Sequence, residues 1–442
     1  MKTTRTLKSF YWKSIMNISL QFLPVTLALS VAAMQCSAAR WELKTTADGS
    51  QLLCDGQPFY IHGAVAPNRF DVLKACGGNA VRVNASQKAL DAAQAAGLAV
   101  MANLPVRGER NNLDWDNAQQ VAEQKAQVLA VVRELKDHPA LMFWSVGNEL
   151  DHIPGNKPYN PQIWVHLNDL AVAIKQLDPQ HPVMTVVGTG HFERKVQEIA
   201  ASCKDMDLLG INAYGDIARA CELTRTHWPK PYAVTEWGPT GHWEVPKTNW
   251  RAPLEQTSSE KAQAIAERYE RIILADRAHC LGSFVFYWSE KQETTHTWYG
   301  LFCNGLRTES IDVMQRSWSG AWPANRAPAI GALAIDGFSD RRSVTLGAGK
   351  TYRAQVQVTD PDSDPLTFAW DIRPEVEIPA GSYAGGMEKK AQPITGLIRD
   401  PACRQIEFTA PPVGGPYRLF VTAVDGQGNV AYGNIPFLVV KE

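Results

Sequence analysis

Two segments hold the residues best suited to chemistry. One reads Phe143-Trp144-Ser145-Val146-Gly147-Asn148-Glu149-Leu150, the other Tyr232-Ala233-Val234-Thr235-Glu236-Trp237-Gly238. Each is an apolar run of the length of a buried strand, and each ends in a glutamate with tryptophan nearby. A carboxylate at the end of a buried strand is costly to keep unless it has partners or a task. Two of them beside aromatic rings meet the needs of glycosidic bond cleavage, which takes one acid, one nucleophile or base, and flat surfaces for sugar rings. Glu149 reads as the proton donor, in a Trp- and Leu-lined pocket. Asn148 is placed to hold a sugar 2-hydroxyl. Glu236 reads as the nucleophile.

The elements that must position these groups follow from periodicity. Short apolar runs occur at 59–63, 80–84, 99–104, 141–147, 183–188, 207–213, 231–235 and 283–288. Helical patterns lie between most of them, clearest at 86–96, 118–136, 161–177 and 258–278. Thr257 followed by Glu260 fits a capping box for the last. Alternating strands and helices build parallel sheets, and the continuous Val/Ile/Leu/Ala/Phe character of the runs is that of strands buried on both faces. Eight such units predict an α/β fold, a (β/α)8 TIM barrel over residues 40–323. An open doubly wound sheet is the alternative, but it would more often carry a Gly-rich phosphate loop. Barrel sites lie at the C-terminal strand ends, where Glu149 and Glu236 fall.

The chain changes character at Trp322-Pro323-Ala324-Asn325-Arg326-Ala327-Pro328. Beyond it, strand-like runs separated by Gly, Pro and Asp predict a small all-β, Ig-like sandwich over 324–442. The segment Val358-Thr359-Asp360-Pro361-Asp362-Ser363-Asp364-Pro365 resembles PKD-like and cadherin-like modules. Its aspartates admit a calcium reading, but Asp/Pro turns are common and a turn is the preferred reading.

Lys2, Arg5, Lys8 and Lys13, the apolar stretch 18–34 and the small residues Ser37, Ala38 and Ala39 have the layout of an export signal over residues 1–39. That predicts a secreted or periplasmic protein with no stable membrane span after cleavage. The 442-residue chain has 44 basic and 45 acidic residues, net charge −1, and loss of those four basic residues makes it −5. Such a balance gives no general reason to seek nucleic acid. The eight cysteines, seven without Cys36, show no CxxC spacing, so one or two disulfides are the most they suggest. There is no HExxH, Walker or GxSxG motif, and no metal or organic cofactor is expected.

On these residues the chain resembles the clan A glycoside hydrolases, nearest the catalytic barrels of families two and five. In that clan an Asn-Glu pair after the fourth strand supplies the acid/base, matched here by Asn148-Glu149. The nucleophile ends the seventh strand, matched by Glu236. Asn79-Ala80-Val81-Arg82 resembles the second-strand segment whose arginine steadies the nucleophile, and Ile211-Asn212-Ala213-Tyr214 the sixth-strand segment whose tyrosine bonds it. Asp55-Gly56-Gln57-Pro58-Phe59 resembles the barrel start. The resemblance, over residues 50–320, implies a retaining mechanism; with the aromatic-flanked carboxylates, the expected activity is a β-glycoside hydrolase acting on a β-linked glucan or related poly- or oligosaccharide. Physically, Arg82 is a cation that keeps Glu236 ionised and Tyr214 a donor to its carboxylate. Trp288, at the expected end of the eighth strand, is assigned the floor of the sugar site. His62, Trp237 and Trp298 are assigned to substrate contacts, with Asn103, Trp243, His296 and Tyr299 as weaker candidates. Two rival readings are a transglycosylase with the same glutamates and a non-catalytic carbohydrate-binding barrel.

Overall fold

A computed structural model describes residues 39–46, 49–153, 157–338, 343–376 and 388–441, so residues 1–38 of the expected export signal lie outside it. A small antiparallel sheet comes first: β1 (Trp41–Thr46), β2 (Gly49–Cys54) and β3 (Gln57–Pro58). Trp41 and Leu52 are buried with Ile61, Met101, Phe143 and Phe284, which fill the barrel interior, so this sheet plugs one end.

The eight expected runs do form a closed parallel barrel. Its strands are β4 (Ile61–Val65), β5 (Ala80–Asn84), β6 (Ala99–Leu104), β7 (Leu141–Asn148), β8 (Val183–Gly188), β9 (Leu208–Asn212), β10 (Tyr232–Trp237) and β11 (Cys280–Val285), with β11 pairing back to β4. From Leu141 to Gly147 every residue of β7 is buried, as expected of a strand with the interior on one face and helices on the other. The capping box is present at Ser258–Arg268: Thr257 accepts from the Glu260 amide, and Glu260 accepts from the Thr257 amide. That helix then widens into a π turn, Tyr269–Ile273, and ends in a tighter 3-10 turn, Leu274–Asp276. The helices Phe192–Ser202, Ile217–His227 and Glu309–Ser319 have no counterpart among the clearest sequence patterns.

The eighth strand differs most from expectation. It starts at Cys280 and ends at Val285, three residues earlier than the sequence pattern suggests. From Phe284 to Trp288 the run is apolar throughout, so periodicity alone does not mark where pairing stops.

The C-terminal sandwich has two four-stranded sheets. One orders Ala329–Ile335, Thr351–Thr359, Gln405–Thr409 and Ile398–Arg399; the other orders Val344–Gly347, Val430–Val440, Gly415–Val424 and Thr367–Pro374. Residues 38–442 form one compact unit. A buried ion pair lies at the seam: Lys261 Nζ is 2.6 Å from Glu255, their side chains 3% and 0% exposed. Asn434 and Tyr432 of the sandwich complete it, through Glu255 at 2.8 Å and the Thr297 carbonyl at 3.0 Å. Cys54, Cys76, Cys203, Cys221, Cys280, Cys303 and Cys403 are all free thiols, so the disulfides entertained from the sequence do not form among the described residues. Among those residues no helix is long and apolar enough to cross a membrane.

Candidate active site

Glu149 and Glu236 emerge at the same end of the barrel, on strands separated by β8 and β9. Arg82, on β5 and 3% exposed, reaches across the interior. Its Nη1 donates to Glu236 Oε1 at 2.9 Å and to the Thr235 carbonyl at 3.1 Å. Its Nη2 donates to Asn148 Oδ1 at 2.7 Å, and its Nε to Asn103 at 3.2 Å. The Tyr214 hydroxyl donates to the other oxygen of Glu236 at 3.3 Å. One cation thus touches both strands that carry a glutamate.

Asn212, the last residue of β9, closes the network. Its Nδ2 donates to Glu149 Oε1 at 2.7 Å and to Asn148 Oδ1 at 3.0 Å, while its Oδ1 accepts from Thr235 at 2.9 Å. Its side chain was not assigned a role from the sequence. The available signal was an amide ending an otherwise apolar strand, which a buried position admits only with partners.

Glu149 has φ +47°, in the left-handed region, which a non-glycine residue occupies at a cost of about 1–3 kcal/mol and holds only when its surroundings over-determine it. Its amide donates to the Val186 carbonyl at 2.8 Å, and Arg110 donates to the Asn148 carbonyl at 2.7 Å. Gly147, φ +84°, lets the chain turn just before it. Gly188 forms the wall beside the carboxylate: a β-carbon there would lie 3.0 Å from Glu149 Oε1.

Burial pushes the Glu236 carboxyl up to about 7. The Arg82 guanidinium opposes this, the Glu149 carboxylate adds to it, the Tyr214 hydrogen bond opposes it, and Glu293 adds to it. The Tyr214 hydroxyl is held well above its usual range by its own burial and by the charge of Glu236, so it stays a donor at neutral pH.

The aromatic candidates divide. Tyr214 packs edge-on against Trp243, Phe286 and Tyr299 at 5.6, 6.1 and 5.5 Å. Trp243 is 51% exposed on a loop that Glu244 ties down by accepting from the Gly215 and Gly241 amides, each at 2.8 Å. Trp298 lies behind this cluster, buried, its Nε1 donating to the Thr240 carbonyl at 3.0 Å. Three expected contacts lie elsewhere. Trp288 is fully buried and stacks on Trp318 at 5.7 Å, because β11 ends earlier than expected; Phe286 occupies the place beside Tyr214. Trp237 is fully buried against Tyr269 at 5.7 Å, in the layer between barrel and helices. His62 stacks on Trp318 at 6.2 Å, since alternation along β4 turns it outward while Ile61 faces in. His296 packs on Phe420 of the sandwich.

In the sandwich, Asp360 accepts from the amides of Asp362 and Asp364, each at 2.9 Å, the bonds a turn requires. The carboxylate that approaches Asp360 and Asp364 is Asp425, within 4.8 Å, rather than Asp362, which accepts from the Arg326 amide. Three oxygen donors so placed are of the kind a hard cation takes.

Residues 65–242 match the family model for the TIM barrel domain of glycosyl hydrolases family 2, a segment that includes both glutamates. Over 190 residues the chain is 27% identical to the β-glucuronidase of Chlorocebus aethiops and 26% identical to that of Homo sapiens. Each match covers 37% of this chain, and the chain spans only 26% of the length of these relatives. Among solved structures, the apo structure of Bacteroides uniformis β-glucuronidase 3 aligns with a TM-score of 0.48 at 14% identity, covering 91% of this chain and 52% of that one.

Proposed function

We propose that this chain is a retaining β-glycoside hydrolase, with Glu149 as general acid/base and Glu236 as nucleophile. The observation that carries the reading is the single network in which Arg82 and Tyr214 grip Glu236 while Asn212 grips Glu149. In the first step, Glu149 gives its proton to the glycosidic oxygen as a Glu236 oxygen attacks the anomeric carbon. The alcohol leaves and a glycosyl ester remains. In the second, water attacks that carbon, Glu149 takes the water's proton, and Glu236 departs as the carboxylate. Asn148, oriented by Arg82 and Asn212, holds the 2-hydroxyl.

The substrate is a β-linked glucan or related oligo- or polysaccharide, and Trp243 offers an exposed ring for it. Aryl β-glucuronides belong in the first substrate panel because curated relatives bear the name β-glucuronidase. The same chemistry ends in transglycosylation if a sugar hydroxyl intercepts the ester, which product analysis at high acceptor concentration separates. Glu236→Ala should abolish turnover of aryl β-glycosides, and azide should restore it as the α-glycosyl azide. Full activity in Glu236→Ala removes the nucleophile assignment. Sugar binding by the wild type with no turnover across the panel favours a binding protein.

A further inference from the structure

We infer that Lys195 and Asp151 form a positioning pair that fixes the backbone of Glu149, an inference that rests on the proposed role of Glu149 in proton transfer. Lys195 lies on the helix Phe192–Ser202 on the same face as Phe192, Val196 and Ile199, all buried. A lysine on the apolar stripe of a helix is out of place unless its charge is met. Here it is met by Asp151, at 2.5 Å, with the two side chains 2% and 7% exposed. Lys195 Nζ also donates to the Gly188 carbonyl at 2.7 Å.

These two partners stand on either side of Glu149. Asp151 is two residues beyond it, on the loop leaving β7. Gly188 ends β8 and is the wall against which its carboxylate rests. One buried ammonium therefore ties the segment after Glu149 to the surface that confines Glu149 Oε1. Such a tie is needed because φ +47° is not a conformation glutamate holds unaided. On the near side, Arg110 and the Val186 carbonyl hold Asn148 and the Glu149 amide; Lys195 does the same on the far side. The pair acts through the backbone and does no proton transfer itself.

The test uses the full chain and a series of aryl β-glycosides whose leaving phenols run from about pKa 4 to about pKa 10. Misplacing a proton donor harms only substrates that need the proton. For Lys195→Met, kcat/KM on the dinitrophenyl glycoside should stay within about 3-fold of wild type, while that on the phenyl glycoside falls about 100-fold. A double variant, Lys195→Met with Asp151→Asn, removes the unpaired charge. It should regain much of any lost Tm and keep the leaving-group dependence. If Lys195→Met does not fold, the double variant carries the same measurement. An equal loss across the series, or a dependence that vanishes as Tm returns, overturns the pair and leaves the glycosidase reading intact. A wild type inactive on every glycoside sinks that reading and the pair with it.

Discussion

Replacing Arg82 by methionine should move the pH profile before anything else. The nucleophile must be ionised to attack, and burial holds Glu236 at about 7 against the pull of Arg82. The kcat/KM of the wild type should therefore rise with pH, with a midpoint near 7. Arg82 Nη1 lies 2.9 Å from Glu236 Oε1. Two unit charges roughly 4 Å apart at an effective dielectric of about 20 interact by about 4 kcal/mol, which sets a ceiling of about 3 pH units. The Glu236 side chain is 15% exposed and keeps Tyr214, so a rise of about one to three units spans the expected range. At pH 7, where the wild type is half ionised, that is a loss of roughly 5- to 500-fold, recovered as pH increases. The assay should use a dinitrophenyl glycoside, whose departure needs no proton, so that Glu149 does not cut off the alkaline side. Tm measured alongside separates titration from unfolding, since Arg82 also bonds the Thr235 carbonyl and Asn103. If activity falls by the same factor at every pH while the midpoint stays near 7, Arg82 does not set the charge of Glu236 and the electrostatic account fails.

Other perturbations address the rest of the assembly. Gly188→Ala places a methyl 3.0 Å from Glu149 Oε1 and should lower kcat on phenyl glycosides by about 100-fold, consistent with small misplacements of reacting groups; a variant at wild-type activity shows that the wall yields. Tyr214→Phe removes a 3.3 Å hydrogen bond to Glu236 and should raise the acidic midpoint by up to about one pH unit, a bond to a charged group being worth about 1.5 kcal/mol or slightly more; no movement means the bond does not favour the anion. Glu255→Gln leaves the Lys261 ammonium buried at the barrel–sandwich seam and should lower stability by about 3–5 kcal/mol in urea unfolding; a change below about 1 kcal/mol shows that the pair is dispensable.

How far the sequence reached depended on the range of the interactions involved. The barrel was legible because strands buried on both faces must be apolar along their whole length, and that pattern is local. The capping box at Thr257 and Glu260 was equally local. Glu149, Glu236 and Asn148 stood out because a polar group at the end of an apolar strand is expensive and therefore conspicuous, whereas Arg82, inside its strand, was marked by the resemblance of its segment to the clan's second strand. Where an apolar run contained no such break, as at 284–288, the end of pairing was invisible, and Trp288 was placed at the mouth where Phe286 stands. His62 and Trp237 failed for a related reason: a strand's two faces are both apolar in a barrel, so composition does not say which way an aromatic ring turns. Asn212 and Lys195 are locally conspicuous as polar groups in apolar settings, but their partners were fixed only when strands and helices distant in the chain closed into a ring, since nothing local says which group across β8 a side chain will meet. The types of group available for chemistry were written in the order of residues; which of them meet was decided by closure of the barrel.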